Sequence, residues 1–312
     1  MNPNTAATLG ASTVHASRPI LSDLDLPLGK RVRLHRLLYE GGVKNGTLLV
    51  LPMDQGIEHG PLNFFPNPAS GDPDFQWRLA LEGGYNALAC HWGIARMYMA
   101  KYAGRVPLIL KINGKTNVPS DANAFSPLTA SVADALSIGA DAVGYTLYVG
   151  SPRQDDDIDQ LRRVREACEK WGMPLIVWAY PRGSAIEEKG GRDSLYAVDY
   201  AARLAHEFGA DIIKLNEPKK SDKDGQQPKP YNTLAWEPME GIRRVVESAG
   251  RSMVLFSGGS KVSDDDLLDK ARRTMEQGAT GLIFGRNLWQ RPMDEALTVT
   301  ERIKEVLRQF PA

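Results

Sequence analysis

Eight short apolar runs punctuate the chain, at residues 48–53, 87–90, 107–112, 142–147, 175–179, 211–215, 253–256 and 281–284. Each is too short for a stable buried helix and is bounded by turn residues, so each reads as a buried strand. Apolar residues recur at helical spacing over 157–171, 194–208, 240–249, 265–277 and 293–310. Four of the runs follow a glycine and small or polar residues: Gly83-Gly84-Tyr85-Asn86, Gly139-Ala140-Asp141, Gly209-Ala210-Asp211 and Gly278-Ala279-Thr280. A glycine there ends the preceding helix with a positive φ. Helix, glycine stop and buried strand form the repeating unit of a parallel βα array.

Eight such units over roughly 250 residues predict an α/β fold, a (β/α)8 TIM barrel. Periodicity does not report closure, so an open, doubly wound sheet is the alternative. A helical pattern at 30–39 precedes the first strand and predicts a helix that closes the bottom of the barrel. No linker divides 28–312, which reads as a single barrel domain. The start of the chain is small and polar without a secretory apolar stretch, so 1–27 reads as a disordered or loosely docked tail. The polar segment 219–229 after the sixth strand reads as a mobile lid.

Composition narrows the partners. Of the 312 residues, 38 are basic and 38 acidic, giving a formal net charge of +0. That balance offers no electrostatic case for nucleic acid or an anionic membrane as partner. No run of 18 apolar residues appears, which argues against a membrane helix. The two cysteines, Cys90 and Cys168, are too few for a disulfide scaffold, and a cytoplasmic enzyme is the expectation.

Strand parity turns these runs into candidate chemistry. In a barrel, inward residues alternate and the active site lies at the C-terminal strand ends. One face of strand six then holds Ile212, Lys214 and Asn216. Strand five presents Trp178, Tyr180 and Arg182, strand three presents Lys111, Asn113 and Lys115, and Asp54 ends strand one. Lys214 stands among Ile212, Ile213 and Leu215. An amine so placed is costly to keep charged, and a neutral amine condenses with ketones and aldehydes. Schiff-base chemistry is the hypothesis; a rim lysine paired with Asp54 or Glu217 is the bland reading. For Trp178 and Tyr180 the bland reading is core packing, and for Asp54 a loop cap.

The last two strands lead into Ser257-Gly258-Gly259-Ser260-Lys261 and Gly285-Arg286-Asn287. Glycines let backbone N–H groups approach a phosphate, Arg286 supplies a charged donor, and these loop positions are the usual phosphate site of the fold. A tight turn is the plainer account of the Gly-Gly pair. Metal chemistry finds little support: five histidines are present, but no two share a ligand spacing and no HExxH occurs.

With Asp54-Gln-Gly-Ile-Glu-His-Gly-Pro61, Val177-Trp-Ala-Tyr-Pro-Arg-Gly183, Gly209-Ala-Asp-Ile-Ile-Lys214, Ser257-Gly-Gly259 and Gly285-Arg-Asn-Leu-Trp-Gln-Arg291, the chain resembles archaeal-type class I fructose-1,6-bisphosphate aldolases. The resemblance runs from about residue 39 to about residue 296. It implies a barrel aldolase that needs no metal or other cofactor and splits fructose 1,6-bisphosphate into dihydroxyacetone phosphate and glyceraldehyde 3-phosphate. On that resemblance Lys214 is the Schiff-base lysine, Tyr180 the proton-transfer residue and Asp54 the carboxylate near the reacting hydroxyl. Trp178 lines the site. Ser257, Gly258, Gly259, Gly285 and Arg286 hold one phosphate, and Arg182 lies near the other. The family forms large symmetric assemblies, so a homo-oligomer is expected. Where many relatives carry a second lysine, this chain has Asn216. A sister enzyme acting on another phosphorylated ketose, or on a dideoxy-sugar precursor of aromatic biosynthesis, is therefore the alternative. A metal lyase and a non-catalytic sugar-phosphate-binding barrel rank below it.

Overall fold

In the computed structural model, residues 18–312 are described; the 1–17 part of the expected tail lies outside the described residues. Eight parallel strands close on themselves: β1 (Leu48–Pro52), β2 (Ala87–His91), β3 (Leu108–Lys111), β4 (Ala142–Val149), β5 (Leu175–Pro181), β6 (Ile212–Leu215), β7 (Met253–Ser257) and β8 (Gly281–Ile283). Closure is made by β8 against β1, with Leu48 opposite Gly281 and Val50 opposite Ile283. The barrel expectation is met, and the open sheet is excluded.

Helices wrap this barrel in chain order: α1 (Leu28–His35), α2 (Gln55–Glu58), α3 (Asp74–Glu82), α4 (Trp92–Tyr98), α5 (Val132–Ser137) and α6 (Gln154–Trp171). The second half adds α7 (Ser184–Glu187), α8 (Leu195–Glu207), α9 (Pro238–Ser248), α10 (Asp264–Glu276), α11 (Arg286–Trp289) and α12 (Met293–Arg308). The long outer helices match the periodic segments. Among the shorter ones, α3, α4 and α5 were not legible, because six to nine residues display too little of a 3.6-residue period.

Strand parity divides the apolar residues into two cores. Outward residues such as Leu49, Leu88, Val143, Ile213 and Phe256 pack under the helices. Inward residues such as Val50, Ala89, Ile109, Ile176, Trp178, Ile212 and Leu255 fill the barrel. Leu34, Leu37 and Leu38 join the inner core from below, so the segment begun by α1 plugs the barrel bottom as expected. Leu21 and Leu24, in the described part of the expected tail, are buried in the same cluster.

The polar residue that closes three of the four glycine stops has its own task. Asn86 Oδ1 accepts from Leu49 N–H (2.7 Å), Asp141 Oδ2 from Leu108 N–H (3.2 Å) and Asp211 Oδ2 from Leu175 N–H (2.8 Å). Each side chain thereby ties the start of its own strand to the strand before it. Two of these carboxylates meet the plug: Lys30 Nζ lies 2.9 Å from Asp211, and Arg36 lies 2.9 Å from Asp141. Buried charges require such pairing. The plug is thus held by ions below and by leucines above.

Segment 219–229 is pinned rather than free along its length. Gln227 is buried, its side-chain carbonyl accepting from Tyr196 N–H at 3.0 Å. Beyond it, Trp236 is buried against Gly241, whose missing Cβ would sit 2.4 Å from the indole.

Candidate active site

A cavity of about 450 Å³ opens at the C-terminal ends of the strands. That is ample for a small phosphorylated sugar, within the usual range for ligand sites. Its wall includes Asp54, Tyr180, Arg182, Lys214, Ser257 and Arg286. Gly258, Gly259 and Gly285 also line it. Of the residues given a role by the resemblance, Trp178 alone is not on this wall, and the inward candidates Lys111 and Asn113 are not on it either. Trp178 is wholly buried one layer deeper, as floor rather than lining.

Lys214 reaches this cavity because β6 alternates, with Ile213 and Leu215 facing the helices and Ile212 the barrel core. Its Nζ stands 5.2 Å from the Trp178 ring centroid and 5.3 Å from that of Tyr180. Only 5% of the residue is exposed. Burial pushes the amine below its ordinary range, and Arg286 adds to this, against the opposing pull of Asp54 and Glu58. No hydrogen bond or ion pair holds Nζ among the described residues.

The counter-ions that would tame Lys214 are engaged elsewhere. Glu217 takes Arg273 in a two-pronged bridge (3.1 and 2.8 Å) and Lys270 at 3.6 Å. Asp54 faces Lys111 at 3.4 Å. The bland reading of a rim lysine paired with Asp54 or Glu217 is therefore excluded by geometry.

Lys111 is the site residue that parity located but chemistry did not single out. Its Nζ contacts Asp54 Oδ2 (3.4 Å), Glu58 Oε1 (3.3 Å) and Thr146 Oγ1 (2.7 Å), and lies 4.5 Å from the Trp178 ring centroid. The signal was available, since Leu108-Ile-Leu-Lys111 buries an amine in an apolar strand just as β6 does. Glu58 follows Asp54 by one helical turn, which brings both carboxylates to the same lysine. Although burial works to raise it, the Asp54 carboxyl is held below its ordinary value by Lys111, with Lys214 and His91 adding to the pull.

Tyr180 occupies the next inward position after Trp178 on β5. Burial, with the negative charge of Glu58 and Asp54, pushes its phenol well above the ordinary range. It is a proton donor rather than a phenolate at neutral pH. Arg182, the next inward position, is bound to Asp121 (3.0 Å), whose other oxygen binds Lys115 (2.8 Å). These two cations share one carboxylate at the cavity mouth.

At the other wall, the β7 and β8 loops interlock. Arg286 donates to Gly259 O (3.1 Å), and Asn287 Nδ2 donates to Gly258 O (3.3 Å) and Ser260 O (3.2 Å). Gly259 has φ +69°, which suits glycine. At Gly285 a Cβ would meet Gln55 Nε2 at 2.8 Å and Pro52 O at 3.0 Å, so close approach explains this glycine. Ser257 donates to Asn216 Oδ1 (2.6 Å), and Asn216 Nδ2 donates to Asp193 (3.1 Å). Asn216 is thus a hydrogen-bond bridge in place of a cation. Among the described residues, no three His, Cys, Asp or Glu side chains cluster to hold a metal ion.

Several known proteins share this arrangement of chain. A class 1 fructose-bisphosphate aldolase of Thermoproteus tenax is 39% identical over 249 residues, covering 80% of this chain and 85% of that protein. The protein of the same name from Halobacterium salinarum is 36% identical, covering 80% and 86%. A solved archaeal fructose-1,6-bisphosphate aldolase, with its catalytic lysine covalently bound to the carbinolamine intermediate, superimposes with a TM-score of 0.74 at 35% identity, covering 88% of this chain and 98% of that one. The sequence profile of the DeoC/LacD family aldolases matches residues 48–291, from the first strand through α11. With the closed barrel and a buried lysine on β6 that pairs with no described residue, the chain belongs to the DeoC/LacD aldolase family.

Proposed function

We propose that this chain is a Schiff-base, metal-independent aldolase that cleaves fructose 1,6-bisphosphate to dihydroxyacetone phosphate and glyceraldehyde 3-phosphate. We place it in glycolysis and gluconeogenesis, in the cytoplasm, as a homo-oligomer. The observation that carries the reading is Lys214, a buried amine with no ion-pair partner among the described residues, on the wall of a cavity that Arg286 and two glycine loops also line. The activity named for the relatives from Thermoproteus tenax and Halobacterium salinarum supports the choice of substrate.

In this mechanism the neutral Lys214 amine adds to the C2 carbonyl, and the carbinolamine loses water to give an iminium ion. That cation accepts the electron pair of the C3–C4 bond as it breaks, while the proton of the C4 hydroxyl leaves toward Asp54. The enamine then takes a proton at C3 from Tyr180, and water releases dihydroxyacetone phosphate. Ser257, Gly258, Gly259, Gly285 and Arg286 fix one phosphate, and Arg182 meets the other. Holding both ends keeps C2 within reach of the amine, an orientation effect on the order of several kcal/mol. Trp178 acts from beneath, as the apolar floor that keeps the amine dry.

Borohydride reduction in the presence of dihydroxyacetone phosphate should tag Lys214 in the peptide map; an active enzyme left unmodified at Lys214 sinks the proposal. Activity should survive chelators, and loss that zinc restores would favour a metal aldolase instead. Comparing fructose 1,6-bisphosphate with other phosphorylated ketoses and a dideoxy-sugar precursor separates the sister-enzyme reading.

A further inference from the structure

Two buried lysines approach the same tryptophan, yet only one has partners. Lys111, on β3, is fully buried and has Asp54, Glu58 and Thr146 around its Nζ. Lys214, on β6, has no hydrogen-bond or ion-pair partner among the described residues. Room for this arrangement comes from Gly144 on β4. A Cβ there would lie 2.8 Å from Lys111 Cδ and 2.8 Å from Trp178 Cζ3, so glycine lets the lysine stem cross the strand and lie against the indole. The barrel is built to hold a cation at this place.

We infer that Lys111 is a positioning residue: by occupying Asp54 and Glu58 it keeps both carboxylates from pairing with Lys214 and so preserves the nucleophile as a free amine. This rests on the Schiff-base reading of Lys214 and deepens it. Two carboxylates so near an amine favour its charged form. The Lys111 amine, 3.4 Å from Asp54 and 3.3 Å from Glu58, competes with Lys214 for both carboxylates. The other groups facing Lys214 are the Tyr180 phenol on β5, Arg286 on α11, and His59 just after α2. His91, at the end of β2, pairs in register with Lys111 and has no hydrogen-bond partner on either ring nitrogen. None of these is a second cation bound to both carboxylates, so removing Lys111 leaves them to Lys214, which both already influence.

The test reads the ionisation of Lys214 without relying on turnover. Trace labelling with acetic anhydride across pH, followed by mass spectrometry of the Lys214 peptide, gives the midpoint of amine reactivity. In Lys111→Met that midpoint should rise by about one pH unit or more, the scale of a nearby charge lost from a buried site. Lys111→Arg should restore it, and adding Asp54→Asn to Lys111→Met should bring it back toward the wild-type value. Thr146→Val, which removes a contact of Lys111 but no charge, should leave it in place. Equal midpoints in wild type and a folded Lys111→Met overturn the inference. Failure of borohydride trapping in the wild type would instead overturn the Schiff-base reading, so the two failures are distinct. Should Lys111→Met not fold, the comparison of Lys111→Arg with Lys111→Gln at matched circular dichroism carries the same decision.

Discussion

The Lys214 amine and the Tyr180 ring sit on neighbouring strands with 5.3 Å between nitrogen and ring centroid, Tyr180 two residues beyond the Trp178 that pairs in register with Lys214. This places a phenol held in its protonated form beside the atom where the iminium would form. On the proposed mechanism, Tyr180→Phe should still be trapped by borohydride but should lose turnover by roughly 10²- to 10⁴-fold, the span of a general acid–base contribution. Equal loss of trapping and turnover would assign Tyr180 to binding instead.

Arg286 bonds Gly259 O from the start of α11 and faces the cavity. Arg286→Ala should raise KM for a phosphorylated substrate about 10- to 100-fold, the worth of a hydrogen bond to a charged group. Thermal stability should change little, since the side chain is on the wall rather than in the core. Steady-state kinetics with and without the phosphate on the substrate would check this, and an unchanged KM removes Arg286 from the phosphate site.

His91 is buried with neither ring nitrogen bonded, and burial, followed by the Lys111 charge, lowers its pKa from 6.5 to about 4. Between those values the unfolded chain takes up a proton that the folded chain refuses. Stability should therefore fall as pH drops through this window, by on the order of 3 kcal/mol from this residue. Urea unfolding at several pH values should show this slope reduced in His91→Gln. An imidazole that titrates near 6.5 in the folded protein by NMR contradicts it.

Lys30 bridges Asp211 and Glu169 beneath the barrel. Lys30→Met leaves the buried Asp211 carboxylate without its cation and should cost about 3–5 kcal/mol. Burial, against the opposing effect of Lys30, already raises the Asp211 pKa. A group whose folded pKa lies above its unfolded value binds more protons when folded, so acidification should relieve part of the variant's loss. Denaturant midpoints at neutral and acidic pH test the sign.

Much of this was legible along the chain. Alternation on β5 and β6 puts Trp178, Tyr180, Arg182, Lys214 and Asn216 on the inner face, and the glycine-rich exits of β7 and β8 mark the cavity wall that Gly258, Gly259, Gly285 and Arg286 line. Trp178 was harder: parity says inward but not how deep, and it proved to be floor rather than lining. The short helices α3 to α5 display too few turns to register a period, and the polar segment 219–229 gave no hint that Gln227 would anchor it.

Inward or outward is a local property, because the backbone itself alternates with a period of two. Which charge meets which is not. Lys111 could find Asp54 and Glu58, and Lys214 be left alone, only once strands from distant parts of the chain had closed with a particular stagger around Trp178. The amino-acid sequence by itself determined the eight βα units and which side chains share a strand face, while closure into a barrel came from β8 pairing with β1. Only tertiary structure decided that one buried lysine is neutralised by carboxylates while the other stays free, since that depends on distances across the barrel that no neighbour along the chain controls.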